Sequence, residues 1–260
     1  MAFESIKPCQ ITDELYWVGV HRMSPAHLLV TKDGLVLIDT GTVDTQKELI
    51  ENIESLGFDV HDIKHIIHSH GHYDHIGATT QIVKLSGAKT YIGLGDEDAV
   101  RGANDLLWVT KKPTENANEL YFDPDVIIKD GDVLNFGDVR MRFVATPGHT
   151  AGVISMFFNV HHAGREYLAG MFGGAGFGSM APEYLDSRGL PRTLRSDYIK
   201  SIDRIIGEPV EVHIGNHPHN SNQASKAERK TSEYNPFVEE NTWVPFLTRQ
   251  KESFLAQNNI

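Results

Sequence analysis

HSHGHYDHIG, residues 68–77, places four histidines and an aspartate within eight consecutive positions, with glycine and tyrosine between them. A solvated polar loop is the bland reading of such a stretch, and a metal site is the sharp one. The spacing favours the metal. Side chains two apart in an extended segment point the same way, so His70 and His72 can grip one ion while Gly71 lets the backbone turn tightly. Asp74 and His75 are adjacent and point elsewhere, where they can serve a second ion a few ångströms away. Each site then needs a ligand from another part of the chain.

Working outward, DIKHIIHSH reads as a buried strand that runs into the histidine-rich turn. Upstream, ITDELYWVGV and AHLLVTKDGLVLIDTG are β-branched and aromatic segments broken by Asp-Gly and Thr-Gly turns, an opening set of strands. Between them and the turn, Leu49, Ile50, Ile53 and Leu56 fall at helical spacing from Asp44 to Leu56, with Gly57 placed for a left-handed cap. A second helix is predicted from Ile76 to Leu85, closed by Gly87. In VIIKDGDVLNFGDVRMRFVATPGHT, Val139, Met141, Phe143 and Ala145 alternate against Arg140 and Arg142, which predicts a strand ending in a Pro-Gly turn at His149. ISMFFNV and REYLAG read as further strands. SDYIKSIDRIIG puts Ile199, Ile202, Ile205 and Ile206 on one helical face, with Ser196 as candidate N-cap, and VEVHIG leads to His217. His149 and His217 both lie just past predicted strand ends, where loops on an α/β scaffold carry functional groups.

Composition narrows the function classes. The 260 residues are 40% hydrophobic and 23% charged, globular proportions, and no linker or repeat divides them, so a single domain spanning residues 1–260 is expected, with residues 234–260 a helical tail packing on it. Composition does not choose between that packing and a partner subunit. Thirty-five acidic against twenty-four basic residues give a net charge of -11, which disfavours nucleic acid and anionic membranes as partners and leaves a small-molecule substrate. The single cysteine, Cys9, excludes an internal disulfide and any multi-cysteine metal cluster. No basic segment followed by an apolar run opens the chain, and no run approaches the roughly 18 residues that span a bilayer, so a cytoplasmic protein is expected.

LIDTG around Ile38 to Gly41, HSHGHYDHIG, TPGHTAG and GNHPHN, in that order, resemble the metallo-β-lactamase superfamily over about residues 15 to 220. The resemblance implies a four-layer αββα sandwich with a two-metal centre, usually zinc and sometimes iron or manganese. On the matching positions it implies His70, His72 and His149 for the first metal and Asp74, His75 and His217 for the second. Where most members carry a bridging aspartate, YLAGMFGG offers Gly170 and Met171, and a thioether bridges such ions poorly. The third subclass of true metallo-β-lactamases lacks that bridge, and the later SDYIKSIDRII, GNHPHNSN and the tail NPFVEENTWVPFLTRQKESF resemble it too. The implied function is a dinuclear-metal hydrolase in which a metal-bound hydroxide attacks a carbonyl of a small substrate, with Asp74 orienting the nucleophile and accepting its proton. Lactone, ester or thioester hydrolysis is the alternative, and an iron-dependent redox enzyme or a metal-binding protein without turnover is a second. The absence of an export sequence and of serines around Met171 and Gly173 counts against a drug-degrading β-lactamase.

Other residues carry lesser expectations. Asp39 is a partner that orients a ligand. The nine remaining histidines are structural or exposed by default: His161 and His162 sit in a hairpin turn, His68 is satisfied by backbone, and His21 and His219 are weaker candidates for a substrate cleft. Met171 packs. GGAGFGSM, residues 173 to 180, is a mobile loop beside the metals rather than a phosphate cradle, Asn220 to Asn222 are candidates for substrate contact, and LLWVTKKPTENANELYF with Trp108 is a flap or a surface segment.

Overall fold

Along His27–Thr31 and Gly34–Ile38, successive side chains alternate between two different cores, and that alternation organises the molecule. The computed structural model describes residues 4–108 and 119–257. In it, β1 (Cys9–Gln10), β2 (Leu15–Trp17), β3 (His27–Thr31), β4 (Gly34–Ile38), β5 (Ile63–Ile67), β6 (Lys89–Gly93) and β7 (Val126–Ile128) form one sheet in that order. The first four strands pair antiparallel, and β4 to β7 run parallel. Strands β8 (Val133–Phe136), β9 (Val139–Ala145), β10 (Ile154–His162), β11 (Arg165–Met171) and β12 (Val212–His213) form the second sheet, antiparallel except where β12 joins β11 in parallel.

Leu29, Val36 and Ile38 face inward and meet Met141, Phe143, Met156, Phe158, Ala169 and Met171 of the second sheet in a central core. The intervening Leu28, Leu35 and Leu37 face outward against Leu49 and Ile53 of α1 (Gln46–Ser55) and, past the short α2 (Tyr73–Ile76), Ile82 of α3 (Thr79–Ser86). Each such side chain, taken out of water, contributes about 1.5–3 kcal/mol of transfer free energy. The single turn α4 (Glu97–Val100) and α5 (Pro182–Ser187) lie nearer the site. On the far side, Val144 and Phe157 pack against Tyr198, Ile202 and Ile205 of α6 (Leu194–Ile205). After α7 (Gln223–Arg229) and α8 (Pro236–Glu239), Trp243, Phe246 and Phe254 of α9 (Trp243–Gln257) complete that layer. The order is helix, sheet, sheet, helix, the αββα sandwich that the resemblance implies. Phe237 lies in the central core, and Trp243, Phe246 and Phe254 of α9 lie in the outer one.

The expected elements form with small shifts. The first helix begins at Gln46 after a 3-10 turn, and Gly57 takes φ 87°; Gly87 closes α3 at φ 68°. Ser196 does not cap α6. Thr193 holds that position, and the Ser196 hydroxyl donates back to the Thr193 carbonyl (2.8 Å), because the helix starts one turn earlier than the apolar spacing indicates. His161 and His162 end β10 beside a turn at Ala163 and Gly164, both with positive φ, and His161 is exposed and paired with Glu14. No helix among the described residues is long and apolar enough to cross a membrane.

Candidate metal centre

Strands β4 and β5 are parallel, and β9, β11 and β12 share one direction, so the loops after all five leave the sandwich at one edge. Those loops deliver Asp39, residues 68–72, His149, residues 173–180 and His217. The chain after His72 coils into α2, which turns Asp74 and His75 away from His70 and His72. Gly77 is required there: a Cβ would meet the Val43 nitrogen at 2.3 Å.

Two groups of side chains result, His70, His72 and His149 in one and Asp74, His75 and His217 in the other, each with ligand atoms within 4.8 Å of one another. In the first, the ring centroids of His72 and His149 are 4.6 Å apart, and each lies 4.8 Å from that of His70. In the second, His75 Nε2 and His217 Nε2 are 3.3 Å apart and lie 3.7 and 3.6 Å from Asp74 Oδ2. The His70 and His75 rings, 4.0 Å apart, place the two groups side by side. All six side chains sought in the sequence are therefore brought together.

The surroundings fix which ring nitrogen each imidazole presents. His75 Nδ1–H donates to Asp39 Oδ2 (2.8 Å), His149 Nδ1–H to the Gly176 carbonyl (3.1 Å) and His217 Nδ1–H to the Arg22 carbonyl (2.9 Å), leaving each Nε2 with its lone pair free. His70 Nε2 is buried with no hydrogen-bond partner among the described residues. Burial, reinforced by neighbouring imidazoles, holds the pKa of His70 and His72 well below the ordinary value; burial above all lowers His149 to about 4 and His217 to about 3. Burial also works against a charge on His75, but Asp39 and Asp74 outweigh it and raise its pKa. Four imidazoles kept neutral by burial, one unpartnered buried nitrogen and a carboxylate make a donor set that fits metal ions.

Asp39, expected to orient a ligand, is the acceptor for His75 Nδ1–H. It sits at φ 60°, a left-handed conformation that aspartate tolerates better than most residues, and also accepts from the Ser69 N–H and hydroxyl, both at 2.8 Å. His68 donates from Nδ1 to the His75 carbonyl (3.2 Å), satisfied by backbone. Met171 points into the central core. Asn220 is turned inward, its amide donating to Asn216 Oδ1 (2.7 Å); Ser221 is buried, and Asn222 starts α7 exposed. His219 stacks on His217 at the site's rim, while His21 Nδ1 accepts from the Met23 N–H (3.2 Å). Trp108 lies beside the site, its ring 5.8 Å from His72 and 4.5 Å from Tyr184; residues 109–118 of the segment read as a flap or surface lie outside the described residues.

Sequence reasoning missed three supports. The 173–180 segment tethers His149, through the Gly176 carbonyl and through the Ser179 hydroxyl, which donates to the His149 carbonyl (2.6 Å). The Arg22 carbonyl is likewise a backbone acceptor. Asp96 is buried between the loop of His70 and His72 and the loop of His149; burial raises its pKa against the bonds it accepts from Thr150, Gly71 and Gly152.

Residues 20–217 match the family described as the metallo-beta-lactamase superfamily. The chain belongs to that superfamily. Among solved structures it is similar to BJP-1, a subclass B3 metallo-β-lactamase of Bradyrhizobium japonicum, with 25% identity and a TM-score of 0.86 over 99% of this chain and 95% of that one. Similarity to GOB-18 of Elizabethkingia meningoseptica gives 25% identity and 0.80 over 98% and 93%. For native FEZ-1 of Legionella gormanii, at 22% identity, a TM-score of 0.83 over 100% and 98% shows a shared fold. Curated relatives match over shorter stretches: a hydroxyacylglutathione hydrolase of Trichodesmium erythraeum is 27% identical over 113 residues, 43% of this chain and 35% of that protein. The chain spans only 42% and 23% of the length of two further curated relatives, an uncharacterized protein of Aquifex aeolicus and a beta-lactamase hydrolase-like protein of Xylella fastidiosa.

Proposed function

We propose that this protein is a metal-dependent hydrolase of the β-lactamase-like kind, attacking a carbonyl of a small substrate at a two-metal centre. The observation that carries the reading is the convergence of two adjacent donor groups at one sheet edge, where burial lowers the pKa of His70, His72, His149 and His217 and the Nδ1 bonds of His75, His149 and His217 leave Nε2 as the free nitrogen. His70, His72 and His149 would hold one ion and Asp74, His75 and His217 the other. Three imidazoles on one side and two with a carboxylate on the other suit zinc, with iron or manganese the alternatives. Bound there, such ions supply Lewis acidity, which lowers the pKa of water and polarises a carbonyl.

Asp74 is the one carboxylate in the two groups, and it serves to orient the attacking water and accept its proton. Asp39, Gly176 and Arg22 keep three imidazoles in the tautomer and orientation that the site needs. One domain carries all of this, the tail serving as part of its outer layer. Hydrolysis of a lactone, ester or thioester is the second reading, supported by the hydroxyacylglutathione hydrolase relative. Hydrolysis of a chromogenic cephalosporin by zinc-loaded protein, with chelated protein and His149→Ala as controls, tests the proposal. Chelator-sensitive turnover of roughly 1–10³ per second supports β-lactam hydrolysis. No turnover on that substrate or on a lactone, ester and thioester panel, from protein holding two zinc ions, overturns the hydrolase reading.

A further inference from the structure

Asp96 belongs to neither donor group, yet its carboxylate joins the two loops that supply the three-histidine group. Oδ2 accepts the Gly71 N–H (2.8 Å), between His70 and His72, and the Thr150 hydroxyl (2.6 Å), next to His149. Oδ1 accepts the Gly152 N–H (2.9 Å). The side chain is only 4% exposed, so these bonds stand where water does not replace them.

The packing around it is that of a fitted joint. A Cβ on Gly71 would lie 3.1 Å from the Asp96 Cβ, and one on Gly152 would lie 2.5 Å from the Asp96 nitrogen. Gly95 holds φ 111°, reserved in practice for glycine, and turns the chain so that the carboxylate enters between the loops. Three glycines on three separate segments thus make room for one buried carboxylate, and no interaction among those described joins Asp96 to the Asp74, His75 and His217 group.

We infer that Asp96 is a positioning residue for the three-histidine group alone, locking the loop of His70 and His72 to the loop of His149 so that the three imidazoles are held in register before metal arrives. Asp39, bonded to His75, does the corresponding work for the other group. The inference rests on the reading that His70, His72 and His149 hold a metal ion. Replacing Asp96 by Asn keeps the shape but sets an N–H₂ against at least one of three donors and removes the charge that strengthens the remaining bonds, so the joint between the loops is weakened. Loss of a group that orients metal ligands typically costs 10–100-fold in affinity.

The test is cobalt(II) binding, followed by its visible absorption in competition with a chelator. His217→Ala leaves the three-histidine group as the intact one, and His149→Ala leaves the other. Adding Asp96→Asn to the His217→Ala protein is expected to weaken cobalt binding about 10–100-fold and to alter the ligand-field bands. In the His149→Ala protein, the same substitution is expected to change neither. Equal affinity and spectra with and without Asp96→Asn in the His217→Ala background overturn the inference while leaving the metal reading intact. An equal weakening in both backgrounds also overturns it, since Asp96 would then support the fold at large. Failure of the unsubstituted protein to bind cobalt overturns the metal reading and the inference together. Should Asp96→Asn fail to fold, Thr150→Val, which removes one bond of the three, decides by the same comparison, with a several-fold weakening expected in the His217→Ala background and none overturning the inference.

Discussion

The molecule buries two kinds of histidine, and they behave alike until their neighbours are considered. His27 and His213 are as enclosed as His70 and His75, and burial lowers their pKa to about 4 and about 3, as it does for His149 and His217. His27 packs beside Trp17, with neither ring nitrogen partnered among the described residues. His213 lies between Trp243 and Phe246, with one nitrogen on Thr242 Oγ1 (3.0 Å). Among the described residues, neither joins a group of three ligand atoms at metal-binding spacing. Burial and a depressed pKa therefore do not mark function here. Convergence of lone pairs does.

The largest effect is expected at Asp74. Asp74→Asn keeps the shape but removes the proton acceptor, so turnover of any substrate found should fall by about 10²–10⁴, read from steady-state rates. One metal ion should remain bound, and full activity in this variant would remove Asp74 from its role. Next come His149→Ala and His217→Ala. Each should cost one metal equivalent of two, counted by elemental analysis after gel filtration, whereas His27→Leu should cost none.

The third expectation concerns acid. His27 and His213 have folded pKa values of about 4 and about 3, below the ordinary value of about 6.5 in an unfolded chain. Above pH 6.5 both states are neutral and stability is fully present. As pH falls from about 6.5 towards 4 and then 3, the unfolded chain takes up protons first and stability is lost. Urea midpoints of metal-free protein should therefore decline steadily below about pH 6.5, and the decline should be shallower in His27→Leu. At neutral pH that same substitution replaces an unpaired buried polar ring with an apolar side chain, and a stabilisation of about 1 kcal/mol is expected from the midpoint shift. The smallest effect is at His161, exposed on the β10–β11 hairpin, where His161→Ala should leave metal content and turnover unchanged.

Much of this was legible in the chain because the chemistry is local. His70, His72, Asp74 and His75 sit within six positions, and extended spacing followed by a turn already divides them into two pairs. His149 and His217 were findable because each follows a strand with clear alternation or a clear apolar run. The buried face of β9 was foreseeable from period two, with Met141 and Phe143 alternating against Arg140 and Arg142. What was not legible depends on backbone atoms or on distant partners. Gly176 and Arg22 act through carbonyls, which leave no trace in residue type. Asp96 stands in LGDEDAV, where nothing local marks it for burial; the approach of Gly71 and Gly152, 25 and 56 positions away, brings the loops onto it. Ser196 misled because a hydroxyl caps only if it precedes the first turn of the helix, and here the helix already begins at Leu194.

Anomalous diffraction at the zinc edge, from crystals of zinc-loaded protein, would locate the bound ions themselves. Two peaks are expected, one within about 2.0–2.1 Å of nitrogens of His70, His72 and His149 and the other at ligand distance from Asp74, His75 and His217, with no density at His27 or His213. Peaks elsewhere, or none at these six side chains, would contradict the two-metal reading.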